Sequence, residues 1–330
     1  MIKRIKLHGF KSYVDQELEI LPLTVLTGLN SSGKSSIIQA IRVLENVVAY
    51  EDKEKAFHQL NIGNVNEVIN PNSGNNMEIV SFPDDNLNHF TKYSFSDTIY
   101  VGPFPKIIYV SASRKGAAAT IPMNSSFELG PEGDNVLNVI DHNYDTILND
   151  ILQDGAEGKT FNYVLSGWLQ KISPGVKFES RLERKADVSY SLYDQHRASN
   201  VGFGLSYTLP VIVALLLGTI ENDTLVMIEN PEAHLHPKGQ YELSRLICLC
   251  VEAGAKVIVE THSDHLFDGI RIFCKESETS FNKKVISYWC QLNEDKCTTV
   301  EAVKISEKGV VNNWPQGMFD QFLINAEKLL

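Results

Sequence analysis

The sequence predicts an α/β fold in which a glycine-rich loop joins a buried strand to a helix. Three observations predict it. LTVLTG runs through LNSSGKSS into a helical repeat, TLVMIE is an apolar run that ends on an acid, and KVIVE is another that ends in polar THS. Short, wholly apolar runs are the pattern of strands covered on both faces, as in parallel sheets crossed over by helices.

The elements follow in order. RIKLHGF alternates and reads as a strand, with ELEI and LTVLT after it. In SSIIQAIRVLENVVAY the apolar residues at 37, 38, 41, 44, 47 and 48 share one helical face. Residues 51–106 turn polar and rich in Asn, Gly and Pro, which predicts short strands and loops, not a compact separate domain. IIYVSA at 107–112 is a buried strand and 113–133 a loop. Helices are expected near 134–153 and 160–172, and KFESRLE and DVSYSLYD are expected to pair around RKA. A helix then carries 205–218, a strand TLVMIE, and a helix runs from Pro237 to just before Gly254, with Pro and Gly at the ends that suit them. KVIVETHS, VISYWCQL and TTVEAVKIS are further strands, and a helix closes the chain.

Composition bounds the function. With 330 residues, 43% hydrophobic and 22% charged, the chain is an ordinary soluble protein with room for a sizeable core. Its formal net charge of -11 argues against coating nucleic acid through bulk charge, while leaving room for a local site on DNA or RNA. MIKRIK and RLERK are the densest basic spots and read as solvated strand edges. Five cysteines form no CxxC pair, which with the absent signal sequence predicts a reducing cytoplasm. LPVIVALLLG at 209–218 is about half the roughly twenty residues needed to cross a bilayer, so it reads as a buried helix and no membrane partner is expected.

The chemistry concentrates in the loop. Gly28-Leu29-Asn30-Ser31-Ser32-Gly33-Lys34-Ser35 matches GxxxxGK[ST], with a strand before it and a helix after it. The glycines let the backbone curl so that N–H groups face phosphate oxygens, and the helix N-terminus adds partial positive charge. Gly28, Asn30, Ser31, Ser32, Gly33, Lys34, Ser35 and Ser36 are therefore the nucleotide-binding candidates. Lys34 is expected on the β and γ phosphates and Ser35 on Mg²⁺, so ATP and Mg²⁺ are the expected ligands.

The acid strand supplies the second half of such chemistry. Glu229 at the end of TLVMIE is expected on the metal, directly or through water, opposite Ser35. Asn230 follows it and cannot accept a proton, whereas Glu232 stands three residues on in a Pro-containing turn. Glu229 and Glu232 are the candidate bases, with a helix-entry acid as the plainer role for Glu232. His262, at the end of KVIVETH, is a candidate sensor of the γ-phosphate, and Glu260 a further site candidate. His234 and His236 have metal-ligand spacing, but no third ligand is apparent, which favours turn and packing roles.

Together these pieces resemble the ABC-type ATPases of the SMC/RecF/OLD group. HGFKSY resembles the SMC-type opening, GLNSSGKSS its Walker A, IENPEAHLHP its Walker B and following D-loop, and ETHSDHL its switch histidine. More narrowly, ENPEAHLHPKGQ, ETHSDH and WPQGMFDQ resemble a family of stand-alone bacterial AAA-labelled ATPases with a C-terminal domain of unknown function. The resemblance implies a P-loop NTPase of the ABC, SMC/RecF-like type with a mixed α+β insertion and no coiled-coil arms. One composite domain over 1–330 is expected, with 1–50 and 200–330 as the nucleotide-binding core and 51–199 as the inserted lobe.

The resemblance also assigns roles. Asn200-Val201-Gly202-Phe203-Gly204-Leu205-Ser206 stands where such ATPases carry the signature motif, so Gly202, Gly204 and Ser206 are expected to reach nucleotide held by the other subunit of a homodimer. Gln59 is the candidate for the glutamine loop, Lys11 for an approach to the phosphates, and Arg114 a further candidate. Much of the group has Asp-Glu where this chain has Glu229-Asn230; the narrower family shares ENPE, which implies slow hydrolysis suited to a switch. The chain after His262 is too short for an appended Toprim nuclease, so a separate nuclease or toxin effector is expected, in a setting of defence against phage. The alternatives are a RecF-like DNA repair ATPase, a transporter subunit disfavoured by the missing LSGGQ, and a scaffold that binds ATP without hydrolysing it.

Overall fold

The structure, a computed structural model, describes every residue except Asn61, Ala117, Ala119, Asn124, Ser125 and Leu330. In chain order, β1 (Arg4–Phe10), β2 (Tyr13–Glu19) and β3 (Leu23–Gly28) precede α1 (Lys34–Tyr50), α2 (Lys53–His58), α3 (Val65–Val68), β4 (Glu78–Phe82) and β5 (Thr91–Ser94). β6 (Lys106–Val110), β7 (Ile121–Pro122), α4 (Val136–Asn143) and α5 (Phe161–Ile172) lead to β8 (Phe178–Glu183), β9 (Val188–Tyr193) and β10 (His196–Arg197). The remainder is α6 (Phe203–Ile220), β11 (Thr224–Glu229), α7 (Pro237–Glu252), β12 (Lys256–Glu260), α8 (Asp264–Glu276), β13 (Val285–Leu292), β14 (Thr298–Val303) and α9 (Gln321–Leu329).

Three segments differ from the sequence expectation: the polar 51–106 stretch also carries the short helices α2 and α3, the first capped by Asp52 accepting from the Lys55 N–H at 2.9 Å. The helix expected over 134–153 stops with α4 at Asn143, whose amide turns back to the Val139 carbonyl at 2.9 Å. Short polar side chains compete in this way with the helical ladder. Past the turn, Ile147 forms a bridge with Thr160 instead of continuing the helix. The last is α8, which the strand-centred reading passes over. Its signals are present: Ser263 Oγ caps the Leu266 N–H at 2.9 Å, Asp264 sits in the first turn, and Leu266, Phe267, Ile270 and Cys274 are buried on one face.

The chain divides into two compact units. The first comprises Met1–Ile107, Lys283–Ile305 and Val311–Leu330, the second Ile108–Asn282 and Ser306–Val310. In the first, β2-β1-β4-β5 form an antiparallel sheet, so the polar 51–106 stretch adds two strands to the sheet that opens the chain. α1 packs on β4 and β5 through a buried face that includes Ile37, Ile41 and Leu44. The same unit holds the order β14-β13-β3. β13 runs parallel to β3 from Val285↔Leu23 to Cys290↔Gly28, and β14 returns antiparallel to it.

In the second unit β12, β11 and β6 lie in that order, and β11 and β12 are parallel from Leu225↔Lys256 to Glu229↔Glu260. All six residues of β11 are buried, as its unbroken apolar run requires. α6 is apolar all round and buried from Val211 to Leu217, with α5 and α7 against it. Among the described residues, no helix is long and apolar enough to cross a membrane. A smaller sheet has β9 at its centre, and the β8–β9 register closes at Glu183↔Val188 around the predicted RKA turn.

α7 and α8 approach closely at Gly269. A Cβ added there would lie 1.8 Å from Ser244 Oγ and 2.9 Å from Ser244 Cβ. Rotating the hydroxyl relieves the first clash but not the second. Gly269→Ala is therefore expected to destabilise the chain by about 1–3 kcal/mol through overpacking, outweighing the roughly 1 kcal/mol that Ala gains over Gly in a helix. Urea unfolding checks it: the midpoint falls in Gly269→Ala and recovers when Ser244→Gly is added. An unchanged midpoint in the single variant contradicts the packing.

Candidate functional site

In the first unit the candidate site is the loop between β3 and α1. β3 is buried at every position, so its end at Gly28 is fixed. The loop turns on left-handed backbone at Gly28 (φ 146°), Ser31 (φ 63°) and Gly33 (φ 98°). Glycine is required at both ends for space as well as conformation. A Cβ on Gly28 would meet the Cys290 carbonyl oxygen at 2.3 Å, and one on Gly33 would meet Thr298 Oγ1 at 2.5 Å.

Neighbouring strands brace the loop. Tyr13 Oη donates to the Gly33 carbonyl at 3.0 Å, and Thr298 Oγ1 donates to the Ser32 carbonyl at 3.0 Å while bonding Ser12 Oγ at 2.6 Å. Leu29, Asn30 and Ser31 form the exposed crest; Ser32, Lys34 and Ser36 are buried, and Ser35 is half-buried. Lys34 Nζ donates to the loop's own carbonyls, Gly28 at 3.1 Å and Leu29 at 2.8 Å. Ser32 Oγ is buried without a hydrogen-bond partner. An orphaned hydroxyl, a backbone cradle that a Cβ would fill and a helix N-terminus with no acid in its first turn fit a polyphosphate.

Two outer candidates separate. Lys11, itself left-handed at φ 52°, donates through Nζ to Gln39 Oε1 of α1 at 2.5 Å, and burial lowers its pKa. Gln59 is exposed at the C-terminal end of α2. α2 is tied to α1 by Asn46 Nδ2 donating to the Ala56 carbonyl at 3.0 Å, three turns along α1 from Lys34 and so about 18 Å away. The structure thus brings Lys11 beside α1 and leaves Gln59 away from the loop.

In the second unit the acid ends of two parallel strands come together. Glu229 and Glu260 are register partners, and both are buried. Glu229 Oε2 accepts from the Ala112 N–H at 3.2 Å. The chain then turns sharply at Asn230 (φ 45°), whose N–H donates to the Glu260 carbonyl at 2.8 Å and whose Oδ1 is buried without a partner. Glu232 Oε1 accepts from the His262 N–H at 2.8 Å, and burial raises the Glu232 pKa above the ordinary carboxylate value. The His262 side chain is exposed. His234 packs its ring edge-on against Tyr207 at 4.7 Å, and His236 Nδ1 caps α7 by accepting from Lys238 N–H at 3.3 Å.

Arg114 organises this end of the unit. Only 2% exposed, it donates Nη1 to the carbonyls of Ser111 at 2.8 Å and Glu229 at 2.7 Å. Its Nη2 reaches the Asn230 carbonyl at 2.8 Å and its Nε the Tyr207 carbonyl at 3.1 Å. Burial pulls its pKa down, while Glu232, Tyr207 and Glu229 oppose that shift. One guanidinium therefore joins the acid strand to α6.

The signature candidates open α6. Gly202 is exposed at the N-cap. Gly204 stands against the His234 carbonyl, which a Cβ would meet at 2.8 Å. The Ser206 hydroxyl is turned into the unit and buried, so it does not face outward towards a second chain as expected. Sequence reading left Arg114 without a role and missed Tyr13, Ser12 and Thr298 altogether. FKSY and the TTV run held these last three in plain view, but nothing local says that they meet the glycine loop.

Comparison with known proteins follows this geometry. The structure of an SMC head bound to the C-winged helix domain of ScpA is 15% identical with a TM-score of 0.54, over 92% of this chain and 97% of that chain. An Smc head domain with an extended coiled coil, bound to the C-terminal domain of ScpA derived from Pyrococcus furiosus, is 13% identical with a TM-score of 0.53, over 99% of each chain. The fold is thus that of the SMC-head P-loop ATPase domain. α6 with 18 residues and α1 with 17, the longest helices among the described residues, form no coiled-coil arms. None of the curated proteins matches the chain. Residues 282–329 match the family described as "Protein of unknown function (DUF3696)". Residues 23–268 match the family described as "AAA domain, putative AbiEii toxin, Type IV TA system". That match covers well over half of the 330 residues, and the chain belongs to this AAA domain family.

Proposed function

We propose that the chain is a slow, ATP-driven dimeric switch that controls a separate effector protein, a nuclease or toxin, in a cytoplasmic defence or toxin system. The observation that carries the nucleotide reading is the left-handed loop around Lys34, with its buried unpartnered Ser32 hydroxyl. Lys34 and the loop N–H groups take the phosphates. Ser35 would offer its hydroxyl and Glu229 its carboxylate to Mg²⁺, which when bound would neutralise charge on the phosphate oxygens. Glu232 holds the proton-accepting position beside His262. The exposed start of α6 at Gly202 is the part offered to nucleotide on a second copy, which makes the pairing two-fold. ATP shifts the population towards the paired state, and loss of the γ-phosphate contacts releases it.

Slow turnover has a physical support. Asn230 cannot accept a proton, and one oxygen of Glu232, the next acid along the chain, is already committed to the His262 N–H. The family description names a toxin of a type IV toxin–antitoxin system, and the SMC heads are bound to ScpA domains; both favour control through a protein partner. The net charge of -11 favours this over a DNA repair role.

Three residues test the reading. Lys34→Ala is expected to weaken ATP binding about 10–100-fold, the worth of a charge-assisted phosphate contact, as read by calorimetry with Mg²⁺. Uptake equal to wild type refutes the nucleotide site.

Glu232→Gln is expected to keep ATP binding and lose about 10²–10⁴ in turnover, with the ATP-bound chain accumulating as a dimer in sedimentation. In the wild type, the ionised form of Glu232 is the active one and burial raises its pKa. Activity should therefore fall with decreasing pH through a midpoint above the ordinary carboxylate range, and that limb should vanish in Glu232→Gln. An acid limb that persists in the variant removes Glu232 from the reaction.

Arg114→Met leaves four carbonyls and two acids without their donor and charge. It is expected to cost about 3–5 kcal/mol in unfolding free energy. Arg114→Lys recovers only part, because an ammonium cannot reproduce the planar fork. Denaturant titration of both variants checks the order.

A further inference from the structure

The second unit contains a cavity of about 280 Å³ that the nucleotide chemistry does not use. Its walls are largely apolar, with Ile121, Met123, Val136 and Leu209 among the lining residues. One part is different. Tyr193 is only 1% exposed, yet its hydroxyl has no hydrogen-bond partner, and the buried Ser206 Oγ, also lining the cavity, has none either. Ser191 and Ser206 lie close enough to the phenol to oppose part of the burial shift of its pKa, yet neither completes a well-formed hydrogen bond with it. Leaving a buried hydroxyl unpaired costs about 1–3 kcal/mol, so two around one cavity constitute a standing demand for a partner.

Charge narrows the class. Lys115 also lines the cavity, but its ammonium is taken up by Asp134 at 2.5 Å and Glu132 at 3.2 Å. An anionic ligand would have to compete with both carboxylates. Burial pushes the Tyr193 hydroxyl up to about 12, so it remains a proton donor throughout the physiological range. The volume is at the small end of ligand pockets, enough for one or two rings.

We propose that this cavity is a binding site for a neutral, mainly apolar small molecule that accepts a hydrogen bond from Tyr193 and pairs with Ser206. Ser206, Leu209 and Pro210 all belong to α6. The same helix carries Gly204 and the Tyr207 carbonyl that Arg114 holds. An occupant therefore steadies the opening turns of α6, the segment assigned above to nucleotide on a second copy. The binding claim stands by itself; only this coupling rests on the ATP reading.

The test uses the full chain without nucleotide and two matched probes, acetophenone with one acceptor and ethylbenzene with none. Titration followed by protein NMR should show saturable binding of acetophenone, with ethylbenzene about tenfold weaker, the worth of one hydrogen bond. Tyr193→Phe should abolish the difference between the probes. Leu209→Trp should abolish binding of both, with Met123→Trp as the second filling variant should Leu209→Trp not fold. Lys34→Ala should leave probe binding unchanged, which separates this site from the nucleotide reading. Absence of saturable acetophenone binding overturns the proposal. So does binding that is indifferent to Tyr193→Phe and to the filling variants, since that is an adventitious additive only.

Discussion

The buried guanidinium of Arg114 is the constraint on which the acid-strand end of the second unit depends. A charge with almost no water contact is tolerated only where donors and charge are both answered, and here the donors go to four carbonyls on three segments. Two of those carbonyls belong to Glu229 and Asn230, where the chain leaves its strand and enters a left-handed turn. Without an outside donor, that turn would present unpaired oxygens in a buried place. The guanidinium therefore fixes where the Glu229 side chain begins, and the Ala112 N–H fixes where it ends.

The first unit solves its problem by different means. The glycine loop is held by space, by three hydroxyls and by the ammonium of its own Lys34. Gly28 and Gly33 are closed in by Cys290 and Thr298, and Tyr13, Ser12 and Thr298 hold the loop from outside. Lys34 is thereby confined above its own loop carbonyls, positioned before any ligand arrives. Under the nucleotide reading, such preorganisation would spare a phosphate the cost of ordering the loop.

Much of this was legible in the sequence, for identifiable reasons. The glycine loop, the acid-ended strand and the Pro237 helix each carry their signal within a few consecutive residues. The strand pair around RKA was equally local. What the sequence hid was long-range. Arg114 lies in a loop-like stretch, and nothing around SASRKG says that its partners are a strand end and a helix more than 90 positions away. Ser206 fits the signature position by spacing, but spacing cannot say that its hydroxyl faces inward. Gln59 was chosen by nearness in sequence to α1, and the packing of α2 on the far turns of that helix places it elsewhere. α8 had a legible cap and apolar face and was missed by reading its start only as the tail of a strand.

The two family descriptions that tile the chain, one over 23–268 and one over 282–329, do not mark two modules. β13 and β14 fall wholly in the later stretch, yet β13 is the immediate parallel neighbour of the strand that delivers Gly28, and Thr298 opens β14 against the loop. The segment of unknown function thus supplies the strand beside β3 and a hydroxyl that braces the glycine loop. An expression boundary drawn between the two labels would cut through a sheet, and what it left behind would be a glycine loop without the strand beside it and without Thr298.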